Sequence, residues 1–109
     1  MLAEDNDLNA EIAQMLLLDE GAKVTVVSNG EQAVEQFEQS QPGNFDAILM
    51  DIMMPVMDGF AATKAIRALN RSDASSIPII AMTANAFEED AKKCFAAGMN
   101  AHLAKPTEI

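Results

Sequence analysis

Short apolar runs alternate strictly with stretches of helical period along this chain, and the connections between them are short. That order constrains the fold more than any other feature. Strands separated each time by a helix pair in parallel, with the helices covering both faces of the sheet. Strands covered on both faces should be short and near-continuously apolar, and Ala47-Ile48-Leu49-Met50 and Ile79-Ile80-Ala81-Met82 read that way. The expected class is α/β, a doubly wound parallel sheet of five strands.

The elements follow from period and punctuation. Residues 1–3 are the first strand, below normal strand length. Residues 4–20 are a helix, with Leu8, Ile12, Met15 and Leu16 at helical spacing, Asn6 or Asp7 as its cap and Gly21 as its stop. Residues 23–27 are a β-branched strand, Ser28-Asn29-Gly30 a turn, and residues 32–39 a short amphipathic helix. A loop at 41–44 leads into the strand 45–50, and Phe60, Ala62, Ile66 and Leu69 mark a third helix. A polar loop at 70–76 precedes the strand 79–82, residues 87–97 form a fourth helix ended by Gly98, and residues 101–104 form the last strand. The short first strand, and the end at Ile109 where one more helix is expected, read as one domain over 1–109 that is incomplete at both ends. Such a domain would expose apolar surface and favour self-association through the missing strand and helix.

Composition narrows the function. At 109 residues, half of them apolar, the chain has material for one core. The formal net charge of −10 and the scarcity of Lys and Arg argue against direct nucleic-acid binding and suit cations and basic partners. Cys94 is the single cysteine, which excludes an internal disulfide and points to a reducing, cytoplasmic setting. Cys94 itself reads as a packed helix residue. No stretch is long and apolar enough to span or insert into a membrane.

Asp51 ends an apolar strand, and a turn marked by Pro55 and Asp58-Gly59 follows at once. Alone, that leaves open whether Asp51 is a strand-end residue or part of a site. The other strand ends favour a site: Glu4 and Asp5 follow the first, Thr83 the fourth and Lys105 the fifth. In a doubly wound sheet these ends share one rim, where open α/β folds bind ligands. Neighbouring carboxylates repel one another unless a cation intervenes, and Mg²⁺ takes oxygen ligands, keeps waters and bridges to phosphate. Lys105 offers a point charge and Thr83 a hydroxyl donor to phosphoryl oxygens. A carboxylate nucleophile, a metal, a lysine and a hydroxyl together suit phosphoryl transfer to an aspartate.

These residues carry a resemblance that covers essentially the whole chain. Glu4-Asp5-Asn6, the run from Asp51 to Gly59, Met82-Thr83-Ala84-Asn85-Ala86 and Lys105-Pro106, in this order, resemble a response-regulator receiver domain of two-component signalling. Met82 to Phe87 and Gly98 to Pro106 most resemble receivers attached to hybrid sensor histidine kinases. The resemblance implies the flavodoxin-like strand order 2-1-3-4-5. It implies that Asp51 accepts a phosphoryl group from a phosphohistidine. Asp5, Asp51 and the Met53 carbonyl would hold Mg²⁺, with Glu4 acting through water. Thr83, Lys105 and the Ala84 amide would bind the phosphoryl oxygens, near Met53. Thr83 and His102 would form a coupled switch, and Lys105–Pro106 would be a cis peptide. The implied partners are a histidine kinase or a histidine-phosphotransfer domain, the latter for onward transfer, with tethering through any membrane-bound parent. The isolated domain would assist its own phosphorylation and dephosphorylation.

Met53 lies two residues past Asp51, where its side chain should limit water access to an acyl phosphate, with Asn85 sharing that role. Slow to moderate self-dephosphorylation is expected. An aspartyl-phosphate hydrolase would need a second aspartate at the Met53 position. A flavin or nucleotide binder would need a Gly- or Ser/Thr-rich loop after the first strand, where Glu4-Asp5-Asn6-Asp7 has the opposite charge. A degenerate receiver used only for interaction would not keep Asp5, Asp51, Thr83 and Lys105 together.

Overall fold

The computed structural model describes residues 1–19, 21, 23–83 and 88–104, with the backbone alone at 83, 88–91, 103 and 104. In chain order the elements are β1 (Leu2–Ala3), α1 (Asp7–Asp19), β2 (Val26–Val27), α2 (Gly30–Gln39), β3 (Ile48–Asp51), α3 (Gly59–Arg67), β4 (Ile79–Thr83), α4 (Glu88–Ala97) and β5 (Ala101–Ala104). The five strands form one parallel sheet in the order β2-β1-β3-β4-β5, as the resemblance implied. Although only two residues long, β1 is central, pairing Leu2 with both Val26 and Leu49.

Side chains alternate between the faces with a period of two. Ala3, Ile48, Met50, Ile79 and Ala81 enter the main core, with Ala33 and Phe37 of α2 and Ala62 and Ile66 of α3. Leu2 and Met82 lie on the other face with Ala13 of α1. The inward face of α1 differs from the one its Leu and Met spacing suggests. Ala10 and Ala13 are buried, whereas Leu8 is 63% and Met15 60% exposed. Small residues let this helix lie close to the sheet, while Leu8, Met15, Leu16 and Leu18 point away and Ile12 and Leu17 are half-buried. The second strand is also shorter than its β-branched run, and the third helix ends at Arg67 rather than Leu69.

At the carboxyl edge of the sheet, α1, α2 and α3 each begin with a polar side chain on an otherwise orphaned amide. Asn6 accepts from Asn9 N at 3.0 Å, Asn29 from Gln32 N at 2.9 Å and Asp58 from Ala61 N at 2.8 Å. In α2, Gln32 also reaches back to accept from Ser28 N at 2.8 Å.

Two arginines of the α3 region tie distant segments together. Arg67 donates to the carbonyls of Ala74, Ile77 and Gly98 and to the Asn100 side chain, at 2.7–3.0 Å. Asn100 Oδ1 also accepts from Ile79 N at 2.9 Å, so Arg67 fixes the starts of both β4 and β5. Arg71 donates to the carbonyls of Phe37 and Ser40 at the end of α2 and lies over the Phe37 ring, 4.2 Å from its centroid. The last turn of α2 has no basic residue of its own, so Arg71 supplies the cation its dipole favours.

Asp73 holds Arg71 in a two-point ion pair and accepts from Gly43 N at 3.0 Å. The Arg71 hydrogen bonds, then that from Gly43, hold the Asp73 carboxyl below its ordinary value of 3.8. A carboxyl whose pKa falls on folding stabilises the fold above its unfolded pKa, and the contribution is lost as pH drops through the folded one. Asp73→Asn should therefore lower the urea midpoint at pH 7, and the gap from the parent chain should close at the acid end of a pH series.

Candidate functional site

Asp51 is the last residue of β3, Glu4 follows β1, and these two strands are neighbours in the sheet. Asp51 is 0% and Glu4 3% exposed, while Asp5 is open to solvent. One carboxylate oxygen from each of Glu4, Asp5 and Asp51 lies within 4.8 Å of the others. Glu4 is fixed through its backbone, its N–H donating to Val27 O at 3.0 Å, and its Oε2 accepts from Asn6 N at 3.3 Å. Asp51 Oδ1 accepts from Met53 N at 3.1 Å, which orients the carboxylate toward the rim. An all-oxygen set of adjoining carboxylates, one of them open to water, fits a hard divalent cation that keeps part of its hydration shell.

The loop after Asp51 is clamped on both sides. Gly59 N donates to Ile52 O at 3.3 Å, and Ile52 N to Met82 O at 3.3 Å. A Cβ on Gly59 would press on Asp51 O and stand 2.8 Å from Ile52 Cα, so only glycine lets α3 start this close to the acid. Gly30 N donates to Met57 O at 2.9 Å, and a Cβ there would collide with the same carbonyl. Inside the clamp, Met54 is buried and Met57 packs against the core, while Met53 is 75% exposed. Thr63 Oγ1 donates to Gly59 O at 2.7 Å, bracing the first turn of α3.

One feature of the loop has no sequence signal. Met57 N donates to Pro55 O at 2.7 Å, closing a γ-turn with Val56 at its centre and φ at 67°. A β-branched residue rarely adopts that conformation, and nothing in the letters around Val56 marks it. The bracing by Thr63 and the close approaches at Gly30 and Gly59 were likewise not legible as site features.

The remaining expected site residues fall in two groups. His102 lies in β5, opposite Ala81, half-buried, with its ring edge-on to Phe95 at 6.3 Å between centroids. Thr83 ends β4, one residue past the Met82 that pairs with Asp51, so its backbone is on the same rim. Its side chain, Ala84, Asn85, Lys105 and the Lys105–Pro106 peptide lie outside the described residues.

Two buried carboxylates this close repel each other, and a bound cation removes the cost. Mg²⁺ should raise the thermal midpoint, with about 1.4 kcal/mol of stabilisation at ten times its Kd. Asp51→Asn should abolish most of the Mg²⁺ response, readable by calorimetry.

The family model described as response regulator receiver domain matches residues 1–109. Hybrid signal transduction histidine kinase I of Dictyostelium discoideum is 37% identical over 108 residues, covering 97% of this chain and 6% of that protein. The chain spans only 6–14% of the length of three curated relatives that it matches. Among solved structures, the receiver domain of a Pseudomonas aeruginosa sensor histidine kinase, with magnesium in its active-site cleft, superposes with a TM-score of 0.84. It is 46% identical, and the match covers 96% of this chain and 82% of that one. A co-crystal of the Saccharomyces cerevisiae phosphotransfer protein Ypd1 with the receiver of Ssk1 matches with a TM-score of 0.82 at 28% identity, over 96% of this chain and 76% of that one. The sheet order, the acid cluster at its carboxyl edge and these matches converge: the chain belongs to the response regulator receiver family, and its relatives are receivers of hybrid sensor histidine kinases.

Proposed function

We propose that this receiver is a Mg²⁺-dependent phosphoacceptor in a phosphorelay, with Asp51 as the phosphate carrier. The observation that supports it best is the oriented, buried carboxylate of Asp51 beside Glu4 and Asp5. In the transfer step an Asp51 carboxylate oxygen bonds to phosphorus as the phosphorus–nitrogen bond of a phosphohistidine breaks. The imidazole leaves with the electron pair of that bond. Glu4, Asp5, Asp51 and the Met53 carbonyl would hold Mg²⁺, which when bound neutralises charge on the phosphoryl oxygens. The Met53 N–H keeps the Asp51 carboxylate in its attacking orientation. Thr83, Lys105 and the Ala84 amide would take the phosphoryl oxygens, sparing the transferred group any search for donors.

Phosphorylation would then bias a two-state element. Thr83 moves toward the phosphoryl group, and His102 changes rotamer behind it. Its edge contact with Phe95 of α4 links that motion to the α4–β5 surface. Partners would be a histidine kinase and, for onward transfer, a histidine-phosphotransfer domain, consistent with the complex seen for the yeast relative. The Met53 thioether cannot move a proton, which disfavours the reading as an aspartyl-phosphate hydrolase.

Incubation with acetyl phosphate and Mg²⁺ should give a phosphate-sized mass gain, absent in Asp51→Asn and suppressed by a chelator. No gain in the folded parent chain would refute the proposal. With its side chain 75% exposed over the rim, Met53 should slow hydrolysis of the acyl phosphate. Met53→Ala should shorten the phosphate lifetime several-fold, and an unchanged lifetime would remove that role.

A further inference from the structure

Val56 carries backbone strain that the fold does not use. The reversal between Pro55 and Met57 is forced by its surroundings: Met54 is buried, Met57 packs on the core, and Gly30 N holds Met57 O at 2.9 Å. The residue between them must take positive φ, and glycine or asparagine does so readily. Here it is valine at φ 67°, with a side chain 76% exposed, so the strain is not offset by burial. Strain kept at an exposed position beside a reactive group points to a function of that side chain.

The loop supplies the second observation. Met53, on the same connection, is 75% exposed and donates its N–H to Asp51. The connection that carries the acceptor carboxylate therefore presents two large apolar side chains to solvent. A phosphohistidine borne on a protein reaches Asp51 only if the protein surface around it settles on this loop. A small phosphodonor needs no such contact.

We propose that Val56 is a specificity-determining contact for the protein phosphodonor, its apolar side chain packing against an apolar surface around the donor histidine. This rests on the reading of Asp51 as the phosphoacceptor. With the chain at a net charge of −10, the periphery of that donor surface would be basic. The side chain is held out by the γ-turn, so little side-chain entropy is lost when the donor docks.

The test uses the full chain with Val56→Gly, Val56→Asn and Val56→Ile. Each is labelled by acetyl phosphate with Mg²⁺, and separately by a phosphorylated histidine-phosphotransfer protein chosen because it labels the parent chain. Val56→Gly and Val56→Asn should melt higher, by roughly 5 °C, and should be labelled by acetyl phosphate at the parental rate. Their labelling by the protein donor should fall about tenfold, a loss of about 1.4 kcal/mol in docking. Val56→Ile should keep the parental rate with both donors. Full protein-donor rates in Val56→Gly and Val56→Asn, equal slowing with both donors, or no rise in melting temperature would each overturn the proposal. Failure of acetyl phosphate to label the parent chain would instead count against Asp51 as acceptor.

Discussion

Two carboxylates buried side by side at the end of a parallel sheet are the constraint around which the rest of this receiver is arranged. Asp51 and Glu4 are almost wholly withdrawn from water, and their oxygens lie within 4.8 Å of each other and of Asp5. Such a pair is unfavourable unless a positive group compensates it. Backbone amides help to hold the pair in place. Glu4 is bonded to β2 through its amide, and Asp51 is fixed by the Met53 amide. The start of α3 closes on Asp51 through a glycine that no larger residue could replace without displacement. The site is thus preorganised.

The supports of that geometry lie well away from it. Arg67 and Arg71 are spent on carbonyls, fastening the α3 region to the starts of β4 and β5 and to the end of α2. Two of the chain's few cations thus stabilise the frame. The connection between β3 and α3 stands between frame and solvent, half anchored by Met54 and Met57 and half presented by Met53 and Val56.

Much of this was legible in the sequence because it depends on local rules. Alternating apolar runs gave the parallel sheet, and Asn6, one of the two cap residues expected for the first helix, is the one the structure uses. The acids at the strand ends could be placed on one rim because a parallel sheet puts all such ends together, and Glu4, Asp5 and Asp51 do meet. What local rules did not reach has physical causes. Helical spacing of Leu8 and Met15 identifies a face but not which way it points, and Ala10 and Ala13 turned out to be the inward set. Hydrogen bonds from Arg67 and Arg71 reach carbonyls up to 34 residues away, so no local pattern announces them. The γ-turn at Val56 opposes local preference and is imposed by packing on either side.

On the proposed mechanism the phosphoryl group resides on Asp51. Borohydride reduction of the phosphorylated chain converts an acyl phosphate carboxyl to an alcohol, which peptide mapping locates. That conversion is expected at position 51 alone, dependent on Mg²⁺ and on prior phosphorylation. Conversion at Glu4, Asp5 or any other carboxyl, or none in a chain that has gained phosphate, would contradict it.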